Sequence, residues 1–406
     1  MVWLHGGGFS SGSASPLLYD GGNLVRRGDV VVVGINHRLN VFGYTHLEDL
    51  GGRDFAHSGN VGQLDIIHAL GWIRDNIDRF GGDPKRVMIF GESGGGAKVS
   101  FLLASPPAKG LFHRAVIESG PGLRMAERAR ASEVAEILLG ELGLSRSRLA
   151  DIRKLSTTQI LSAYFAAQTR AGSGGLGSGS FNPVLDPEIL PAHPFDPAAS
   201  ELAAAVPVII GWNRTEATVF SLGEPALWEL DDAALEQRVR TLYRDNAGTV
   251  LTAYREAMPG ATPSALYFRV ATDQMFGFNS TLLAERKAAL RGAPVYVYRF
   301  DWSTPVLDGR LGSPHGLEMP FVFDNIDRGG MGLTGGGDVA NRLAAQVSAS
   351  WLAFAATGDP NARRSGLPRW EPYSAERRAV MLFNDRSTLG IDPEQRIRET
   401  LTRIRA

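Results

Sequence analysis

Between Val30 and Leu103 the chain alternates β-branched runs with helical periodicity, and few folds accommodate that alternation. "VVVVGINHR" (Val30–Arg38) is a run of the kind expected of a strand buried on both faces. Ile66, Leu70, Ile73, Ile77 and Phe80 then recur at spacings of four and three, which predicts one apolar helix face, closed by Gly81-Gly82. "RVMIF" (Arg86–Phe90) predicts a second strand and "GGGAKVSFLL" (Gly94–Leu103) a second helix. Parallel neighbours need such crossovers, so the pattern predicts an α/β class with a mostly parallel central sheet flanked by helices. "RAVIESG" (Arg114–Gly120), "VPVIIGWN" (Val206–Asn213) and "PVYVYRFDW" (Pro294–Trp302) read as later strands. Val339–Phe354 reads as a further amphipathic helix.

No linker or internal repeat interrupts this alternation. The expected organisation is a single domain over residues 1–406, with helical insertions at about 124–170 and 230–290. In the first of these, Leu138, Leu139, Leu142 and Leu149 are the apolar markers. "AGSGGLGSGS" (Ala171–Ser180) is the one low-complexity stretch and reads as a surface loop.

Composition removes several functions. The formal net charge is −1 and no Lys/Arg run stands out, so no nucleic-acid partner is expected. The chain has no Cys, which excludes disulfides, thiolate metal sites and a Cys nucleophile. No stretch is long and apolar enough for a membrane span. No signal peptide is visible at "MVWLHGGG", which shows no basic segment before an apolar core, and the compartment stays open between cytoplasmic and secreted, the latter if an upstream signal exists.

The pattern G-x-S-x-G occurs twice, at Gly8–Gly12 and at Gly91–Gly95. A nucleophile elbow is a sharp strand-to-helix turn, with glycines flanking the Ser so that backbones approach closely. Ser93 has a strand before it and a helix after it, whereas Ser10 leads into "SGSASP", a run of turn formers. Ser93 is therefore the candidate nucleophile, set against the plainer reading of a helix N-cap. A Ser nucleophile needs a base, and the base an orienting acid. Of eight His, one alone lies beyond His193: His315, in the loop "GSPHGLEMPFVF". If the acid lies after residue 193, His315 is the base. Glu216 follows the strand "VPVIIGWN", at the end where ligands meet parallel sheets, and is the candidate acid. Asp186 and Asp196 are its rivals, in Pro-rich loops without a preceding strand.

Acyl transfer builds negative charge on a former carbonyl oxygen, and backbone N–H groups aimed at it supply a large stabilising term. Gly7 and Gly8 of "HGGGF" offer two such amides and Gly94 a third.

With these pieces in place the chain resembles the type-B carboxylesterase family, which also contains the cholinesterases. "HGGGF" resembles its oxyanion loop, and "VVVVGINHRLNVFGY" the strand and turn that follow. "GNVGQLDIIHALGWIRDNIDRFGGDPKRVMIFGESGGG" resembles its longest signature. "FNPVLDPEILP", "TEATVF", "HGLEMPFVF" and "TGDPN…LPRWEPY" fall in family order. The resemblance implies an α/β-hydrolase fold and a serine carboxylesterase, with Ser93, Glu216 and His315 as triad. It further implies Gly7, Gly8 and Gly94 as oxyanion donors and Glu92 and Ser119 as groups bracing the triad. It implies no cofactor or metal, and as partner a small-molecule ester, small to medium in size, with an apolar or aryl part. Phe9, Phe181, Phe220, Phe276 and Phe321 neighbour the motifs and are candidates to line an apolar gorge. Oligomeric state is left open.

Two departures bear on this. "GQLDI" stands where the family has a Leu and an Asp-Gln pair, so the contact near Asp65 is expected to differ. The family carries strands before its HGGG loop, so an N-terminal truncation is expected here. The rival functions are a catalytically impaired fragment and a non-catalytic, cholinesterase-like binding module. Hormone-sensitive-lipase-like esterases also carry HGGG, usually with an Asp as acid.

Overall fold

The structure is a computed structural model that describes residues 1–172 and 180–405. Most of the low-complexity stretch, residues 173–179, therefore lies outside the described residues. The chain forms two compact units. The first comprises Met1–Pro16 and Val30–Val206, the second Leu17–Asp29 and Pro207–Ala406.

Among the described residues the first unit holds four parallel strands: β1 (Val2–Leu4), β2 (Val33–Ile35), β3 (Met88–Glu92) and β4 (Arg114–Glu118). β1 lies between β2 and β3, with Val2 opposite Val33 on one side and Ile89 on the other. β3 continues to β4, with Glu92 opposite Glu118. Val2, Trp3, Leu4, Met88, Ile89, Phe90, Ala115, Val116 and Ile117 are all buried, as strands covered on both faces require. β2 departs from expectation. It spans three residues, its Val33 is only half-buried and Gly34 is exposed. Its ladder among the described residues runs to β1 alone, so it is an edge strand, and an edge strand is not enclosed like the centre of a sheet.

The helix Val61–Asn76 buries Ile66, Leu70 and Ile73, and Ile77 follows in a 3₁₀ turn. Phe80 was expected on the same face. It is 63% exposed instead and touches Trp72, because the 3₁₀ turn rotates it off the α-helical stripe. The stretch from about 124 to 170 forms the helices Arg128–Glu141 and Thr157–Ala171, and Leu138 packs with Tyr164 and Phe181.

The second unit holds β5 (Val208–Asn213), β6 (Val295–Phe300), β7 (Ala379–Phe383) and β8 (Thr388–Ile391). The first three are parallel, and β8 returns antiparallel along β7. Trp351, Trp370, Tyr298 and Phe383 form an aromatic cluster against these strands, and the Trp370 indole donates to the Val297 carbonyl at 3.1 Å. The stretch from about 230 to 290 forms the helices Asp232–Tyr243, Ala247–Ala257, Pro263–Thr272 and Phe278–Ala289. Segment Leu17–Asp29 joins this unit through Asn325, whose side chain donates to the Leu18 and Asp20 carbonyls at 2.9 Å each. Among the described residues no helix is long and apolar enough to cross a membrane.

Candidate functional site

In the first unit, Ser93 sits between β3 and the helix Gly94–Leu102 with φ 56° and ψ −121°. A residue with a Cβ pays for that conformation, and it persists only where neighbours enforce it. Two hydrogen bonds do so. The Ser93 N–H donates to the Glu118 carbonyl at 2.8 Å, and the Ser93 carbonyl accepts from Ala97 N–H at 3.1 Å. The flanking glycines allow contact that no side chain would. A Cβ on Gly94 would collide with the Gly8 carbonyl, and one on Gly95 with the Leu4 carbonyl. The elbow and the glycine loop are thus in backbone contact.

That loop has Gly7 at φ 83° and Gly8 at φ 61°. Its turn is closed by Ser10 and Ser11 N–H groups donating to the Gly7 carbonyl at 3.2 and 3.1 Å. Asn40 clamps it from outside, its backbone N–H donating to Phe9 O at 2.7 Å and its amide to Ser10 O at 3.1 Å. Ser10, the second G-x-S-x-G serine, is part of this turn and precedes no helix. Glu92 and Ser119 lie at the ends of β3 and β4, both buried, with Ser119 at φ 46°. Glu92 reaches beneath the loop, since a Cβ on Gly6 would come within 2.9 Å of its Oε2. Near Asp65 the contact is a two-pronged bond from Arg38, Nε at 2.9 Å and Nη2 at 2.6 Å.

His5, His37 and Lys98 gather beneath the loop. The imidazoles are 4.9 Å apart edge to face, and Lys98 Nζ donates to the His5 carbonyl at 2.8 Å. Burial first, and the Lys98 charge second, lower His5 to about 4 and His37 to about 3, with Asp65 partly opposing at His37. Burial likewise lowers Lys98 to about 7 against the attraction of Glu92.

The two imidazoles make a prediction. Their folded values lie below the ordinary one near 6.5, so below that pH the unfolded chain binds protons that the folded chain refuses. Their contribution to stability is complete above about pH 6.5 and is lost as the pH falls toward 4, at up to about 1.4 kcal/mol per pH unit for each His. The urea midpoint is therefore expected to be lower at pH 5 than at pH 7, and the gap to narrow in His37→Asn. An unchanged gap in that variant would assign the acid sensitivity to other groups.

In the second unit, β5 ends at Asn213 and the chain turns through Glu216 into the short helix Ala217–Phe220. Glu216 is fully buried rather than solvated. Its Oε1 accepts the Asn213 N–H at 2.7 Å, and its Oε2 lies 2.6 Å from His315 Nδ1. A carboxylate there holds the neutral imidazole proton on Nδ1 and leaves Nε2 as the acceptor nitrogen. The Asn213 side chain donates to the Pro314 carbonyl at 2.8 Å and to Glu318 Oε2 at 2.5 Å, which ties the His315 loop to the end of β5. Two rings bracket His315: Phe276 stacked at 4.8 Å and Phe220 tilted at 4.9 Å. Phe276 rides on a π-helical turn, Asp273–Gly277, a break that turns a side chain off the regular helical face.

The five candidate phenylalanines separate. Phe9, Phe181 and Phe321 are buried, while Phe220 and Phe276 are half-buried against the imidazole. The rival acids are committed elsewhere, Asp186 to His57 Nδ1 at 2.9 Å and Asp196 to Arg124 at 2.5 Å. Glu48, His57 and Asp186 bring donor atoms within 4.8 Å of one another, a grouping already cross-linked by the His57–Asp186 bond. Asn213, Glu318 and Lys98 are missed by sequence reasoning. All three stand inside quoted stretches, but nothing local marks which polar residue will be buried.

The Carboxylesterase family model matches residues 1–402. The para-nitrobenzyl esterase of Bacillus subtilis is 35% identical over 99% of this chain and 78% of its own length. The phenmedipham hydrolase of Pseudarthrobacter oxydans is 32% identical over 95% of this chain and 75% of its own. A crystal structure of the Geobacillus stearothermophilus carboxylesterase EST55 superposes with a TM-score of 0.85 at 35% identity, covering 98% of this chain and 81% of that one. The expected fold class, an α/β-hydrolase with a mostly parallel sheet, is the fold of these neighbours.

Proposed function

We propose, for a chain that belongs to the carboxylesterase family and is a carboxylic ester hydrolase, that Ser93, His315 and Glu216 are its nucleophile, base and orienting acid. What supports this most is the buried Glu216 carboxylate 2.6 Å from His315 Nδ1, a pair that commits the imidazole to one tautomer. Ser93 Oγ attacks the ester carbonyl while His315 Nε2 takes its proton. Glu216 stabilises the imidazolium that forms. The Gly7, Gly8 and Gly94 amides receive the oxyanion. His315 then protonates the departing alcohol, and water attacks the acyl-enzyme by the same route to release the acid. Glu92 and Ser119 brace the two strand ends.

The substrate class follows from Phe220 and Phe276. Two half-exposed rings beside the base favour esters with an apolar acyl or aryl part. Poor discrimination between neutral and cationic alcohols is part of the same proposal. A panel of para-nitrophenyl acetate, butyrate and laurate with choline and ethyl esters tests this. The short and medium aryl esters are expected to have the highest kcat/KM, with choline and ethyl esters of one acid within about ten-fold, a difference of about 1.4 kcal/mol. Hydrolysis confined to choline esters would overturn the reading.

A further inference from the structure

Lys98 lies in the first turns of the helix after Ser93 and is fully buried. A buried amine is costly unless its donors are used. This one donates to the His5 carbonyl at 2.8 Å. His5 is the first residue past β1 and the last before Gly6, Gly7 and Gly8. Its carbonyl belongs to the His5–Gly6 peptide, so whatever holds that oxygen orients the plane from which the glycine loop continues. Glycines impose little on their own dihedrals, and the loop needs outside restraint to keep its amides in one arrangement. Asn40 restrains its far end at Phe9 and Ser10, while Lys98 restrains its near end. Around the amine stand Glu92, His5 and His37, and the Phe9 ring with its centroid 5.9 Å from Nζ. A neutral amine keeps N–H donors, so the link to His5 survives deprotonation, which burial brings down to about pH 7.

We propose that Lys98 is a positioning residue for ester hydrolysis: its amine ties the His5 carbonyl, and with it the start of the Gly6–Gly7–Gly8 loop, to the helix that follows the nucleophile. The proposal rests on the reading of that loop as the oxyanion site.

Lys98→Met keeps the length and removes the donor, and Lys98→Gln keeps a donor without charge. Each is compared with the wild-type chain for kcat and KM on para-nitrophenyl butyrate. The inhibition constant of an aryl trifluoromethyl ketone, whose serine adduct carries the oxyanion, is measured alongside. Lys98→Met is expected to lose about ten- to a hundred-fold in kcat, short of deleting an oxyanion donor outright, with KM nearly unchanged. The ketone should weaken by a similar factor, and Lys98→Gln should keep more of both. A merely structural role would lower the active fraction without moving the ketone's affinity. Wild-type kcat in Lys98→Met, or a fall in kcat with unchanged ketone affinity, overturns the proposal alone. Lys98→Gln carries the same comparison if the Met variant does not fold. A wild-type chain that is labelled by a fluorophosphonate as strongly as Ser93→Ala would overturn the site assignment and this proposal together.

Discussion

Ser93→Ala is expected to lower kcat for para-nitrophenyl butyrate by about 10⁴-fold or more and to abolish fluorophosphonate labelling, with the urea midpoint nearly unchanged. The size of the effect follows from the chemistry. Without Oγ no acyl-enzyme forms, and what remains is attack by water assisted by the loop amides, which retains only the part of the rate that the oxyanion site and binding supply. The stability side follows from the backbone. Ser93 is held at φ 56° by the Glu118 carbonyl and by Ala97, contacts made through main-chain atoms that an Ala keeps. Alanine also keeps the Cβ, so the strain at this turn is not increased. Undiminished labelling in the variant would move the nucleophile elsewhere and leave Ser93 as the turn residue of a strand–helix junction.

Glu216→Gln is expected to cost about 10³- to 10⁴-fold in kcat with little change in KM, because the amide misdirects one proton. In the native site both neighbours of the carboxylate donate: Asn213 N–H to Oε1 and His315 Nδ1–H to Oε2. A Gln of the same shape has one acceptor and one donor end. If its oxygen serves Asn213, its NH₂ faces Nδ1, and the ring must then carry its proton on Nε2. That tautomer cannot accept from a serine hydroxyl. If the amide turns over, NH₂ opposes the Asn213 N–H in a fully buried place, where an unmade bond is costly. Either arrangement disfavours the productive state. A variant within about ten-fold of wild type would show that another group orients His315. The same substitution distinguishes this chain from HGGG-bearing esterases that use an Asp.

The elbow was legible because its requirements are local. A strand of apolar residues, Gly on both sides of Ser93 and a helical run after it can all be read along one stretch of chain. The collision a Cβ would make at Gly94 or Gly95 is the reason those positions are Gly. His315 and Glu216 were reachable by elimination and by their place after β5, although the sequence gives no sign that Glu216 is buried. Asn213, Glu318 and Lys98 could not be singled out. Each is polar in an apolar stretch, and what distinguishes it is a partner many residues away, the Pro314 and His5 carbonyls among them. Phe276 was named only as a neighbour of a motif. Its place over His315 depends on a π-turn that shifts the helical phase, and no residue spacing announces it.

The errors have the same origin. "VVVVGINHR" carries the composition of an enclosed strand, but exposure depends on what lies beside β2, and Phe80 left its predicted face when one 3₁₀ turn altered the periodicity. Local patterning, turn chemistry and the order of reactive residues were thus determined by the sequence itself, because they rest on interactions between near neighbours. Which polar groups are desolvated, which ring faces the imidazole and which carbonyl the buried lysine holds were decided only by the tertiary structure, because each depends on atoms that folding brings together from distant parts of the chain.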